Sequence, residues 1–457
     1  MGEFETISEI SAGYVSGEVS PSEIVARCLG RIERFDHSLN AFLCVARDHA
    51  LAAAATADAE IRAGRRLSTL HGIPFALKDI IDREGFATTA HSRLLADNVA
   101  ARSAACVRKL EAAGAIFLGK LATHEFAIGG PAFDLPVPPA RNPWNRDHFT
   151  GGSSSGSGVA VAARMVPLAL GTDTNGSVRN PAAACGIVGM KPTRGLISLD
   201  GVIELSRSLD VVGPMTSDVT GNALALDVLA GISTTLPAKS SVPSLAGLRI
   251  GVIRRFYRHD MIAAPEMDAG IESALGVLGG LGAEISEVDA PPLSEFADCN
   301  RVILVAEAYS VHRKSLRSRY ADYSKSLRER VLPGAFIQAA DYEAARRLQR
   351  HFTSGMNRIL DGFDVLVTAT NLDPPARFDQ DDVLTAQYTR HARAPFSLTG
   401  HPALSVPVGV SADGLPLAMQ IIGKHHDERS VYRVALAHEM ANPPAFAAPP
   451  LVRGERG

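Results

Sequence analysis

Three features that mark other kinds of protein are missing from this chain of 457 residues. No apolar run approaches the ~20 residues that a membrane-spanning helix needs. No charge of one sign prevails: the formal net charge is −3, so nothing electrostatic favours nucleic acid or an acidic membrane as partner. The five cysteines, Cys28, Cys44, Cys106, Cys185 and Cys299, are odd in number, scattered and never in a CxxC pair. A disulfide framework or a zinc site therefore lacks support, and buried thiols in a reducing compartment are expected. The acidic start, Met1-Gly-Glu-Phe-Glu-Thr, has neither the cationic segment nor the apolar centre of a secretory signal, so a cytoplasmic location is expected. What is present is ordinary for a large globular chain: 46 % hydrophobic and 21 % charged residues, enough to bury a sizeable core.

Residues 151–194 carry the chemistry. A glycine–serine loop, GGSSSGSG from Gly151 to Gly158, runs into an apolar segment, Val159 to Leu170. A second small-residue turn follows, Gly171-Thr-Asp-Thr-Asn-Gly-Ser177. Glycine lacks the Cβ that would keep backbone N–H groups away from a reacting atom, so two such loops around a buried segment suit a catalytic site. Other readings fit less well. Gly152-Ser-Ser154-Ser-Gly156 satisfies G-x-S-x-G, but that elbow needs an apolar strand before it, and Asn145-Arg-Asp-His-Phe-Thr150 is polar. A phosphate-binding loop is excluded because no Gly-Lys-Ser/Thr follows the glycines. Asn175-Gly-Ser177 is also a formal glycosylation sequon, relevant only to a secreted chain. A flexible linker would not continue into Val159-Ala-Val-Ala-Ala.

Upstream, Ile73-Pro-Phe-Ala-Leu77 reads as a short buried strand ending in Lys78-Asp79. Burying an unpaired ammonium is unfavourable, so pairing with Asp79 or Asp82 is the structural explanation and catalysis the functional one. These motifs, with VRNPAAACGIVGMKPTRG from Val178 to Gly195, resemble the amidase signature family from about Ile10 to about Glu439. The resemblance implies an α/β fold with a central mixed sheet surrounded by many helices. It implies one domain over 1–457: a helical layer to 66, a catalytic core over 67–230, an elaboration over 231–390, closing strands and a helix over 391–440, and a tail.

The same resemblance implies an amidohydrolase that cleaves a small carboxamide through a seryl acyl-enzyme, with no cofactor and no metal. Ser177 would be the nucleophile, Ser153 the bridging serine 24 residues before it, and Lys78 the base. A serine hydroxyl needs such a base in order to attack. The turn at Thr174, Asn175 and Gly176 would supply backbone donors to the oxyanion. Asp173 and Arg179 would brace that turn, with Ser154 in support, and the Gly152–Ser153 peptide would be cis. Thr123 to Gly130 matches a cleft-lining stretch, making Phe126, Ile128 and Gly129 candidate substrate contacts. Asn175-Gly-Ser, where many relatives have Gly-Gly-Ser, is similar to a carboxybiuret hydrolase branch and points to urea-like substrates. Alternatives are the glutaminase component of a tRNA-dependent amidotransferase, whose usual sequence Pro131 to Pro139 does not match, and a catalytically silent binding protein on the same scaffold. The scaffold leaves room for a homodimer or a small accessory subunit.

Along the rest of the chain, Ser20 to Arg65 reads as mostly helical, with a cap at Ser20-Pro-Ser-Glu23. Ser103 to Leu118 reads as a helix leading into a strand, and Pro131 to Pro143 as a loop. Leu248–Ile253, Pro265–Leu281 and Ala283–Val288 give strand, helix, strand, the order of an open α/β sheet. Arg301 to Arg358 is helical and charged on both signs, hence a solvated surface rather than a nucleic-acid face. Phe363–Thr370 and Leu417–Gly423 are strands, and Ala441–Gly457 is a frayed tail. His124, His148 and Lys424-His-His-Asp427 lack metal-ligand spacing and read as structural.

Overall fold

Short apolar runs separated by helices come together in one sheet of eleven strands in the computed structural model, which describes residues 5–236, 241–380 and 388–453. The strands are β1 (Phe42–Val45), β2 (Pro74–Lys78), β3 (Ile116–Leu121), β4 (Leu168–Asp173), β5 (Val188–Lys191) and β6 (Val211–Thr216). They continue with β7 (Arg249–Val252), β8 (Glu284–Glu287), β9 (Val365–Ala369), β10 (Ala403–Val410) and β11 (Pro416–Ile422). Across the sheet the order is β1-β3-β2-β4-β6-β5-β10-β11-β9-β7-β8. β2 runs parallel to β3 and β4, and β7 runs parallel to β8 and β9. The strands from β4 through β6, β5, β10 and β11 to β9 pair antiparallel, so the sheet is mixed. β2, β3 and β4 are buried along their whole length, Lys78, Lys120, Thr172 and Asp173 included, so none of them shows an exposed polar face.

Helices pack against the sheet. Pro21–Leu39 starts as its sequence signals: Ser20 accepts from the Glu23 N–H and the Glu23 carboxylate accepts from the Ser20 N–H, with proline in the first turn. Ile24, Val25, Cys28, Leu29 and Ile32 form its buried stripe. Between this helix and Arg47–Arg62 the chain forms β1, so the expected run of helix from Ser20 to Arg65 is interrupted. Four residues are too few to show a strand period, and β1 exists because β3 offers it an edge. Ser155–Ala162 and Arg179–Cys185 follow the two serine-bearing loops and are wholly buried. The charged stretch resolves into helices Leu293–Ser318, Lys325–Val331 and Ala339–Asp361.

β10 falls within the closing strands expected over 391–440, although its own bounds were not read, and it pairs Ala403, Leu404 and Ser405 with Lys191, Met190 and Gly189 of β5 in the interior of the sheet. The tail also departs from expectation. Instead of fraying, it buries Ala445, Ala448 and Val452, and the Phe446 ring lies 5.6 Å from that of His438; residues 454–457 lie outside the described part. No helix among the described residues is long and apolar enough to cross a membrane.

Candidate active site

β2 and β4 lie side by side, with Leu77 opposite Leu170, so the ends of both strands emerge at one place. Lys78 ends β2 and is fully buried. Its Nζ donates to Ser153 Oγ at 2.7 Å and to Thr172 Oγ1 at 2.8 Å. Neither Asp79 nor Asp82 pairs with it. Asp79 turns to Lys120, 3.0 Å away, and accepts from Thr89, so the proposed structural partner of Lys78 is engaged elsewhere. Burial pushes the Lys78 ammonium down to about 7, against the pull of Asp210 and Asp173. Asp210 itself is pushed up to about 6 by burial, although Thr174 Oγ1 and the N–H groups of Leu205 and Ser206 donate to it.

Ser153 follows a cis peptide from Gly152. Its carbonyl accepts from the His124 N–H at 3.1 Å and from Thr123 Oγ1 at 3.0 Å, which fixes the loop against the segment after β3. A Cβ on Gly152 would run into the His124 ring, so only glycine fits there. Ser177 lies between β4 and helix Arg179–Cys185, partly exposed where Ser153 and Lys78 are buried. Its carbonyl accepts from the Ser154 N–H at 3.2 Å, so the two serine loops are stitched together beside Ser153. Ser154 is sealed in: its Oγ donates to the Thr172 carbonyl and accepts from the Thr172 N–H, each at 3.2 Å. That geometry suits a brace and leaves no room for a nucleophile.

Asp173 and Arg179 pair as the sequence predicts, and more extensively. Both are fully buried, with Arg179 Nε and Nη2 each 3.0 Å from an Asp173 oxygen. Burial alone would raise the Asp173 carboxyl, but Arg179 outweighs it and holds the group well below the usual carboxylate range. Arg179 also donates to Gln420 Oε1 at 2.8 Å, Ser397 Oγ at 2.7 Å and the Arg393 carbonyl at 3.1 Å. Asp173 Oδ1 takes the Gly176 N–H at 2.7 Å. Of the three residues named as oxyanion donors, Gly176 thus has its N–H directed to Asp173. Gly176 keeps its conformational role, with φ at +106°.

The expected substrate contacts divide. Phe126 turns its ring onto His312, 4.6 Å away edge-on, and toward Tyr323. Ile128 belongs to the core, and Gly129 backs onto Ser326 and Leu327. His124 is buried and held neutral, its pKa pushed down to about 3 by burial, then by Lys78. Sequence reasoning missed Thr172, Asp210, Ser397, Gln420 and Arg393. Thr172 had a signal: it follows Leu168 and Leu170 at the two-residue period of β4 and so shares their face. The others come from distant segments without a local mark.

A family model described as amidase matches residues 23–432. A component of the glutamyl-tRNA(Gln) amidotransferase of Halorhodospira halophila is 37% identical over 468 residues, 94% of this chain and 96% of that protein. The corresponding component from Trichlorobacter lovleyi is 35% identical over 473 residues, covering 96% and 97%. Among solved structures, a chain from what is described as an unexpected vestigial protein complex, revealing the evolutionary origins of an s-triazine catabolic enzyme, superposes with a TM-score of 0.87 at 30% identity. That match covers 96% of this chain and 98% of the other. Native peptide amidase of Stenotrophomonas maltophilia gives 0.82 at 29% identity, covering 96% and 98%.

Proposed function

The chain belongs to the amidase family, and from that premise we propose that it hydrolyses the C–N bond of a small carboxamide through an acyl-enzyme on Ser177. The observation that carries this reading is the 2.7 Å contact between a buried Lys78 and Ser153, with no carboxylate in salt-bridge reach of the amine among the described residues. A lysine with a pKa near 7 is in good part neutral at physiological pH, and its lone pair can take a proton. Ser153 passes its proton to Lys78 and accepts one from Ser177 as Ser177 attacks the carbonyl. The backbone donors of Thr174 and Asn175 stabilise the oxyanion. The relay returns a proton to the leaving nitrogen, and water completes hydrolysis by the reverse path.

A second reading is the glutaminase component of a multisubunit amidotransferase. The curated relatives support it over a free-standing amidase, since both amidotransferase sequences align along nearly the whole of this chain. In that case the ammonia passes to a partner protein. The chemistry at Ser177 is the same in both.

A fluorophosphonate should label the protein on Ser177, and Ser177→Ala should abolish labelling and lower turnover by about 10³-fold or more. Ammonia release is then profiled on glutamine and on aliphatic, aromatic and ureido amides. A protein that neither labels nor turns over any of them is a silent scaffold, and the enzyme reading fails.

A further inference from the structure

Two guanidinium groups lie against the nucleophile turn, and one carboxylate answers them. Asp173 is fully used by Arg179, by the N–H groups of Gly176 and Val178 and by Ser397. Arg393 has no such partner. Its stem covers Gly176, where a Cβ would stand 2.5 Å from Arg393 Cδ and 2.6 Å from Nε. Arg393 Nη1 donates to Asn371 Oδ1 at 2.8 Å, and Asn371 in turn donates to Asn180. Its Nε is buried without a hydrogen-bond partner, and no acid lies in salt-bridge reach of the group among the described residues. The residue is 2% exposed. Burial, then Arg179, lowers its pKa to about 9. On the same side Tyr388 keeps a buried hydroxyl without a partner, and the Arg330 guanidinium lies 4.7 Å over the Tyr388 ring.

A buried charge without a counter-ion is strongly unfavourable, and the described residues around Arg393 supply neither an acid in salt-bridge reach nor an acceptor for its Nε. A planar guanidinium matches a carboxylate in two parallel hydrogen bonds. We infer that Arg393 determines specificity by holding a carboxylate that the substrate carries close to its scissile carboxamide. Because Arg393 touches the residue before Ser177, the two groups of the substrate must be a few bonds apart. The substrate class is a short amido-carboxylate, such as the monoamide of a small dicarboxylic acid. The inference rests on the hydrolase reading above.

The test compares kcat/KM for the monoamides of malonic, succinic and glutaric acids with that for the corresponding neutral diamides. The unsubstituted protein is set against Arg393→Gln and Arg393→Lys, with thermal melts and fluorophosphonate labelling on each. The unsubstituted protein should prefer a monoamide over its diamide by at least ~10²-fold at one chain length. Arg393→Gln should lose that preference mainly through a raised KM for the monoamide, which should suffer far more than the diamide, and should keep its label. Arg393→Lys, which keeps the charge, should recover part of the preference and reports even if the glutamine variant does not fold. A labelled protein without preference for monoamides, or an Arg393→Gln variant slowed equally on both substrates, overturns the inference; the latter result would make Arg393 a support of the turn. Absence of label in the unsubstituted protein overturns the hydrolase reading instead, and this inference with it.

Discussion

At the scale of single residues, the decisive fact is where the acids near Lys78 point. From the sequence, burial would lower its pKa and Asp79 would raise it, with the balance open. The structure gives Asp79 to Lys120 and leaves Asp210 and Asp173 as the carboxylates acting on Lys78. Burial outweighs both and brings the amine to about 7. A base works when deprotonated, so kcat/KM should be low in acid and rise through an ionisation around pH 7. Asp210, near 6, faces the same amine, so the limb belongs to the coupled pair rather than to either group alone. Lys78→Arg keeps a charge that does not ionise in this range and should be about as inactive as Lys78→Ala while still folding. Near-normal kcat in Lys78→Arg would mean that the group is an electrostatic brace and the relay is wrong. Asp173 behaves differently. Asp173→Asn leaves Arg179 buried beside Arg393 without its acid, which should cost about 3–5 kcal/mol of stability in denaturant unfolding. A loss below ~1 kcal/mol would show that Gln420 and Ser397 suffice to hold Arg179.

At the scale of elements, the turn between β4 and helix Arg179–Cys185 is held by geometry that few side chains tolerate. Gly176→Ala must place a Cβ at φ +106°, costing about 1–2 kcal/mol in backbone strain, and must also push aside the Arg393 stem. Denaturant midpoints should fall accordingly, and kcat should fall with them because Asn175 and Ser177 move. A stable and fully active Gly176→Ala would show that the turn does not depend on this conformation. How far this region was legible follows from its contacts. The glycine–serine loop, the strand ending in Lys78 and the Asp173–Arg179 brace are local in sequence, so residue type and spacing revealed them. Thr172 was readable in principle from the period of β4. Asp210, Ser397, Gln420 and Arg393 reach the site only through sheet pairing and helix packing, which no local pattern encodes. β1, β5 and β6 were missed for the same reason: short or uniformly buried strands lack a period, and they form by pairing with a neighbouring strand. Phe126, named from a matching stretch, packs on His312 and Tyr323, partners that its local sequence does not reveal.

At the scale of the whole molecule, the candidate site is assembled from both ends of the chain. Arg179 bonds Ser397 and Gln420, more than two hundred residues away, and β10 and β11 stand between β5 and β9. A sheet ordered this way has no seam at 230 or 390 along which a self-sufficient half could part, because removing residues 391–440 would separate β5 from β9. The chain should therefore unfold as one unit. Trp144, the single tryptophan, reports on the catalytic side: it is buried, and its Nε1 donates to the Cys185 carbonyl at 2.8 Å at the end of the helix that carries Arg179. Residues 231–390 hold the two longest helices, Leu293–Ser318 and Ala339–Asp361, and so contribute a large share of the far-ultraviolet ellipticity. Tryptophan emission, ellipticity and amidase activity should be lost at one denaturant concentration. If ellipticity instead fell first, with Trp144 emission unchanged, the elaboration over 231–390 would be a separate folding unit. The continuous sheet would then be no measure of cooperativity.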